Sequence, residues 1–301
     1  MSARAWALFA TSSVIWGVPY FFIKVAVDDD VPPAFVAWSR VVLAAALLLP
    51  LAARRGALRG LRGEVWPIVA YAATEIAVPF TLISAGEQHI SSSLTAILIA
   101  SMPLMVAALS ARFSPSGPPT GWRLGGLFVG LGGVVALVGI DVAGQSGELL
   151  GAALVLGATL CYATAPIIIE RRLSTLDPIG PVAVALGAAA LALTPAALIA
   201  PPDGAPPLEA LGSIAVLGVV CTALGLVVFF RLIAEAGPSR ASVITYVNPL
   251  VAVTLGVIVL GERPGPASFV GLVLILAGSW LATRGGGTGV VEPHAEAVAR
   301  V

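Results

Sequence analysis

In a chain of 301 residues, apolar side chains make up 58% and charged side chains 11%, and the mean hydropathy is +1.00. This balance excludes a water-soluble globular domain and predicts a chain that lies mostly in lipid, with room for about ten spans of roughly 20 residues and almost none for an extramembrane catalytic domain. No nucleic-acid partner is expected, and the formal net charge of zero hides a segregation of sign between the loops.

In chain order, apolar segments fall near residues 5–27, 33–53, 65–86, 91–112, 120–140, 148–169, 178–200, 208–234, 239–260 and 266–283. The fold class expected is an all-α membrane protein with ten transmembrane helices. The third and fourth segments also admit a reading as one long hairpin around Glu87, Gln88 and His89. The first segment runs past 20 residues with only Arg4 before it, which predicts an uncleaved helix rather than a secretory signal. Residues 285–301, a Gly run with scattered Glu, predict a disordered cytoplasmic tail.

The 33 glycines and 23 prolines fall inside the apolar runs as well as between them, which membrane helices tolerate when neighbours re-satisfy the freed backbone. Cys161 and Cys221 lie in apolar segments without a CxxC or Cys/His cluster, so no disulfide framework, metal site or cofactor is expected. Gly125, Gly126 and Gly130 to Gly133, with Gly271 and Gly278, fit close helix packing rather than a phosphate loop, because they lie inside apolar spans.

Basic residues set the orientation. With a cytoplasmic N-terminus the inner side holds Arg4, Arg54, Arg55, Arg59, Arg62, Arg112, Arg123, Arg171, Arg172, Arg231, Arg240, Arg284 and Arg300, and the outer loops hold Arg263 alone. Asp28, Asp29, Asp30, Glu87, Asp141, Glu148, Asp203, Glu209 and Glu262 mark the outer side. Both termini are therefore expected in the cytoplasm, and the chain in the cell inner (plasma) membrane.

An offset of 146 residues superposes Trp16 on Tyr162, Lys24 on Glu170, Pro32 on Pro178, Pro103 and Leu104 on Pro249 and Leu250, Gly125 on Gly271 and Gly132 on Gly278. The offset predicts two related five-helix units, residues 1–140 and 141–284. Five is odd, so the second unit enters the membrane from the opposite side. Inverted repeats of this kind recur in secondary transporters, where the halves enclose a site and rock to alternate access.

Trp16-Gly17 followed by Lys24, Pro33 followed by Arg40, the Pro103 and Pro249 helices, and the run from Thr254 to Gly261-Glu262 before a Gly-rich last helix resemble the EamA family of the drug/metabolite transporter superfamily. The likeness covers residues 5–284. It implies a ten-helix bundle with cytoplasmic termini that moves small metabolites, often amino acids or related compounds and often outward. One departure is that the Gly-Glu pair common after the fourth helix is replaced by Ser114-Pro115-Ser116 in the first half, while Gly261-Glu262 keeps it in the second.

Candidate residues follow from depth and chemistry. Glu75 stands about ten positions, or ~15 Å, into the third segment, half of a ~30 Å hydrocarbon core. A midplane carboxyl suits binding or proton transfer, or else a structural hydrogen bond from the protonated acid. Arg40, ~10 Å into the second segment, must snorkel or find a partner, with substrate contact or a structural or gating role both open. Lys24 reads as snorkelling toward Asp28 to Asp30 or as a gate, and Glu262 as gating or structural. Pro103 and Pro249 free the carbonyls of Ile99 and Thr245, either to line a polar site with Ser101, Tyr246 and Asn248 or simply to kink the helices. Trp16, Tyr162, Tyr246 and Thr222 fall near one depth and form either a cavity wall or helix packing.

The function expected is a secondary transporter, an exporter of small metabolites, with no enzymatic activity and with proton coupling left to Glu75. A sugar-phosphate or nucleotide-sugar carrier, or a non-transporting membrane enzyme or scaffold, is the alternative. The partners expected are a small-molecule substrate and membrane lipid, with homodimerisation open.

Overall fold

The computed structural model describes residues 1–113, 121–139 and 146–283. The tail read as disordered, the Ser114-Pro115-Ser116 departure, Asp141, Arg284 and Arg300 lie outside the described residues. Among the described residues, eight helices are long and apolar enough to cross a membrane: α1 (Ala3–Asp28), α2 (Pro33–Arg54), α3 (Leu61–Gly86), α4 (Ser92–Leu109), α6 (Ser146–Leu173), α7 (Ile179–Ile199), α8 (Leu208–Ala236) and α10 (Pro266–Thr283). Two shorter apolar helices, α5 (Trp122–Leu137) and α9 (Ile244–Ile258), stand between them. Among the described residues there is no β-strand.

The amino acids account for the irregularities. Pro19 lacks the N–H that would continue the ladder of α1, so that helix bends at Val18. α4 is interrupted at Ala100 and Ser101, just ahead of Pro103, whose missing N–H falls in the first turn of the following helix Met102–Phe113 and costs nothing there. Pro249, its counterpart by the 146-residue offset, stays inside a continuous α9. The side chain of Asn248, with its nitrogen turned to the carbonyls, donates to Ile244 O at 2.9 Å and to Ser13 O at 3.2 Å, bracing that helix and tying it to α1. Ala72–Ala77 in α3 and Val216–Leu224 in α8 are wound as π-helix.

The lipid-like exterior carries large exposed apolar side chains such as Phe128, Leu191, Leu198 and Ile258. Trp6, Trp66, Trp122 and Trp280 are exposed at the arginine-rich end, where amphipathic rings favour a membrane–water interface. α4 and α8 are the most enclosed spans, with 56% and 50% of their most apolar windows buried. They stand at the centre of the bundle. On one flank α5 and α10 meet through glycine: a Cβ at Gly278 would fall on the backbone of Gly130. The close packing expected is present at Gly126, Gly130, Gly133, Gly271 and Gly278, whereas Gly125 and Gly132, expected there too, have nothing within 4 Å of an added Cβ.

The two ends differ in chemistry. Arg172 Nε pairs with Glu64 at 3.5 Å and Arg123 Nε donates to Ala282 O at 3.3 Å at the basic end. At the other, Lys24, Asp28, Glu87 and Glu262 converge on the turn between α3 and α4. That turn, around Glu87, Gln88 and His89, joins α3 to α4, where the sequence allowed a hairpin.

Candidate functional site

Arg40 is 6% exposed and does not snorkel. α2 carries it against α3 and α8, where its guanidinium carbon sits 3.8 Å from the Phe80 ring centroid and its Nε donates to Thr222 Oγ1 at 3.2 Å. Thr222 sends its own proton back to Leu217 O at 2.8 Å, a five-residue step that the π-winding of α8 makes available. No carboxylate stands within ion-pair distance of Arg40 among the described residues. An arginine fixed by stacking and one hydrogen bond keeps donors for a guest.

Tyr20, Tyr162, Cys221 and Glu87 lie within electrostatic range of Arg40. Tyr162, from α6, also lies in range of Glu75 and Tyr71. Glu75 stands in the π-helical stretch of α3, half-buried, 11 residues or about 16 Å from the end of that span at Gly86. A series of polar groups therefore leads from the acidic-end turn at Glu87, past Tyr20 and Arg40, to Tyr162, Glu75 and Tyr71 in mid-span. In a bundle whose outside is apolar, such a series has no purpose in packing alone, because each buried polar group costs stability unless it is paired.

The acidic end is tied across the bundle. Lys24 Nζ pairs with Asp28 Oδ1 at 2.9 Å, as its position toward Asp28 to Asp30 suggested, and donates to Glu87 O at 2.8 Å. Glu262 Oε1 accepts from Ser92 N and Ser92 Oγ, each at 2.8 Å, and Oε2 from Ser93 N at 3.0 Å and from Ser93 Oγ. Gly261, at φ +67°, supplies the left-handed turn that aims this carboxylate at the N-terminus of α4.

Arg40 holds Thr222, and Tyr162 lies within electrostatic range of both Arg40 and Glu75, but the other candidates stand elsewhere. Trp16 packs on Phe229, ring centroids 4.5 Å apart, in a cluster with Leu232 and Ile244. Tyr246 reaches toward Thr283 Oγ1 at 3.5 Å, on α10. Pro103, Pro249 and Asn248 act within α4 and α9, as described above. Glu87, Tyr20, Tyr71 and Phe80 join the series without having been singled out as site residues. Tyr20 lies close behind Trp16-Gly17 on α1, where its place could have drawn notice, and Glu87 offered no signal beyond its loop position.

The EamA-like transporter family model matches the chain twice, over residues 4–139 and 149–284. The chain is 30% identical over 292 residues to the "Uncharacterized inner membrane transporter YedA" of Escherichia coli K12, covering 93% of this chain and 90% of that protein. It is 28% identical to a "Probable terminal-alkyne amino-acid exporter" of Streptantibioticus cattleyicolor, covering 94% of each. A solved crystal structure superposes with a TM-score of 0.66 over 94% of this chain and 98% of that one, at 17% identity, a likeness of fold.

Proposed function

The chain belongs to the EamA-like transporter family, and from that premise we propose that it is an alternating-access exporter of small zwitterionic metabolites, amino acids or related compounds, coupled to protons through Glu75. The observation that carries this reading is the polar series from Glu87 to Glu75 through an otherwise apolar bundle, with a buried arginine that has no carboxylate of its own. Arg40 offers a bidentate donor to a substrate carboxylate, and Glu75 an acceptor for an ammonium group or a proton. A substrate ammonium and a proton competing for Glu75 meet the minimal condition for antiport.

In this reading the pathway lies between two inverted five-helix halves, residues 1–140 and 141–284. The two shorter helices count as spans: α5 and α9, of 16 and 15 residues, reach about 22–24 Å, and the turn Pro238–Ala241 lies ahead of α9. The 146-residue offset also carries the π-helical stretch of α3 onto that of α8, with Glu75 over Cys221. The name of the Streptantibioticus relative supports an amino-acid cargo. A phosphorylated cargo calls for paired cations, whereas Lys24 is already held by Asp28. The transporter names of the relatives point away from an enzyme.

Proteoliposomes loaded with a panel of amino acids test the proposal, with and without an imposed pH gradient. Glu75→Gln keeps the side chain's size but cannot ionise, so gradient-driven flux of the transported solute is expected to fall by about tenfold or more while gradient-free exchange persists. Full driven flux in that variant would remove Glu75 as the proton carrier. Absence of flux for every solute, in folded wild-type protein, would remove the amino-acid reading itself.

A further inference from the structure

The turn between α3 and α4 buries a carboxyl that substrate binding at Arg40 and Glu75 does not use. Glu87 is 0% exposed, and neither of its side-chain oxygens has a hydrogen-bond partner. Thr95 stands beside it, but its hydroxyl donates to Ser91 O at 3.1 Å. Lys24 is the nearest cation, yet its ammonium goes to Asp28 and to the backbone carbonyl of Glu87 rather than to the carboxyl. An ionised carboxylate would not leave a neighbouring ammonium unclaimed in so dry a place, because an unpaired buried charge is among the costliest arrangements in a protein. A protonated carboxyl can.

The groups around it complete the picture. Tyr20, Lys24 and Asp28 face Glu87 from α1, Arg40 from α2, Thr95 from α4 and Glu262 from the turn before α10. α6 meets the turn with Gly151, Leu154 and Val155, none of them titratable. Burial pushes the Glu87 carboxyl well above the usual carboxylate range; Lys24 and the adjacent Thr95 oppose the shift, and Glu262 and Asp28 reinforce it.

We propose that Glu87 is a proton-binding site that governs closure of the acidic end. With the proton bound, the end shuts over Glu87 as seen here. When the proton leaves to solvent on that side, the buried carboxylate that remains demands hydration, and the turn separates from α1 and α4 to admit water. The proposal rests on the alternating-access reading above, but it concerns the gate rather than the cargo.

The sign of the pH dependence follows from linkage. The closed end holds a carboxyl of raised pKa, and an opened, hydrated end holds one near the ordinary ~4.3, so closure is strongest at low pH and weakens as pH rises toward the closed-state value. Hydrogen exchange of the amides of residues 87–95 in lipid nanodiscs, corrected for the intrinsic pH dependence of exchange, reads this opening directly. In wild-type protein the opening is expected to grow about tenfold per pH unit across that interval and then level off. Glu87→Gln is expected to stay protected at every pH. A flat profile in wild-type protein, or an unchanged slope in the variant, overturns the proposal.

If Glu87→Gln fails to fold, carbodiimide labelling of wild-type protein, which modifies protonated carboxyls, replaces it. Peptide mass mapping should show the Glu87 adduct declining over the same pH range. A yield that does not change with pH, high or nil, overturns the assignment. Neither measurement depends on flux, so a gate that ignores pH in a protein that still transports refutes this inference alone.

Discussion

A carboxylate at the start of a helix in lipid meets N–H groups that have no water to turn to, and Glu262 is placed to answer this need. Its two oxygens take the N–H groups of Ser92 and Ser93 together with both hydroxyls, while Ser91 Oγ takes the N–H of Leu94 at 3.1 Å. Bonds of this kind to a charged acceptor contribute roughly 1.5–3 kcal/mol each. Glu262→Gln turns one acceptor oxygen into a donor that faces the donors of Ser93, so it should lower stability by about 1–3 kcal/mol, read as an earlier midpoint in an SDS titration. Glu209→Gln, at an exposed acid in the first turn of α8, is the matched control and should leave the midpoint in place. Equal losses in the two variants would mean that Glu262 contributes only surface charge. Residues of this kind were partly legible in the chain: Gly261-Glu262 and Lys24 stood out by position, and Arg40 by its depth in an apolar run. Glu87 did not, because an acid between two spans reads as solvated, and only the convergence of α1, α4 and the turn before α10 removes it from water.

At the scale of helices, hydrophobic runs of about 20 residues located the spans to within a few residues, as with 178–200 against Ile179–Ile199, because lipid imposes both length and composition on a crossing helix. Windings inside a span are set by neighbours and were not legible. The π-stretches of α3 and α8 have no sequence mark of their own, and Pro103 and Pro249 look alike in the chain although only the first lies at a break. The glycine faces were legible, and they allow a sharp comparison. A methyl group at Gly278 would strike the Gly130 backbone, which cannot yield as a flexible side chain could. Gly132 on α5 has nothing within 4 Å of the same added atom. Gly278→Ala should therefore cost about 1–3 kcal/mol by forcing α5 and α10 apart, whereas Gly132→Ala should be neutral or favourable by up to ~1 kcal/mol through helix propensity. Denaturation of both variants in the same detergent distinguishes them, and a silent Gly278→Ala would show that the contact between α5 and α10 is looser than the structure has it.

For the whole molecule, the alternation of helices sorts the charges into two ends. Arginines at 54, 55, 59, 62, 123, 171 and 172 gather at one end, joined there by four exposed tryptophans, while Asp28 to Asp30, Asp203 and Glu209 gather at the other with Lys24 and Arg263. Basic loop residues resist translocation during insertion and acidic ones contribute little, so the arginine-rich end is expected in the cytoplasm, and with it the N-terminus and the Arg4 side of α1. This orientation sets the sense of the coupling: the gate at Glu87 would sample the outer pH, and an inward-directed proton gradient would act on it first. Arg59→Cys and Asp203→Cys, made separately, check it with a charged maleimide that cannot cross the membrane. The native cysteines do not interfere, since Cys161 lies inside α6 and Cys221 is 2% exposed inside α8. In intact cells the Asp203→Cys protein should be modified and the Arg59→Cys protein should react only after permeabilisation. The reverse pattern would place the acidic gate in the cytoplasm and invert the coupling, with outward movement of a proton opening the inner face. Half-modification at both positions would mean that the chain inserts in both directions, which an arginine bias of this size should prevent.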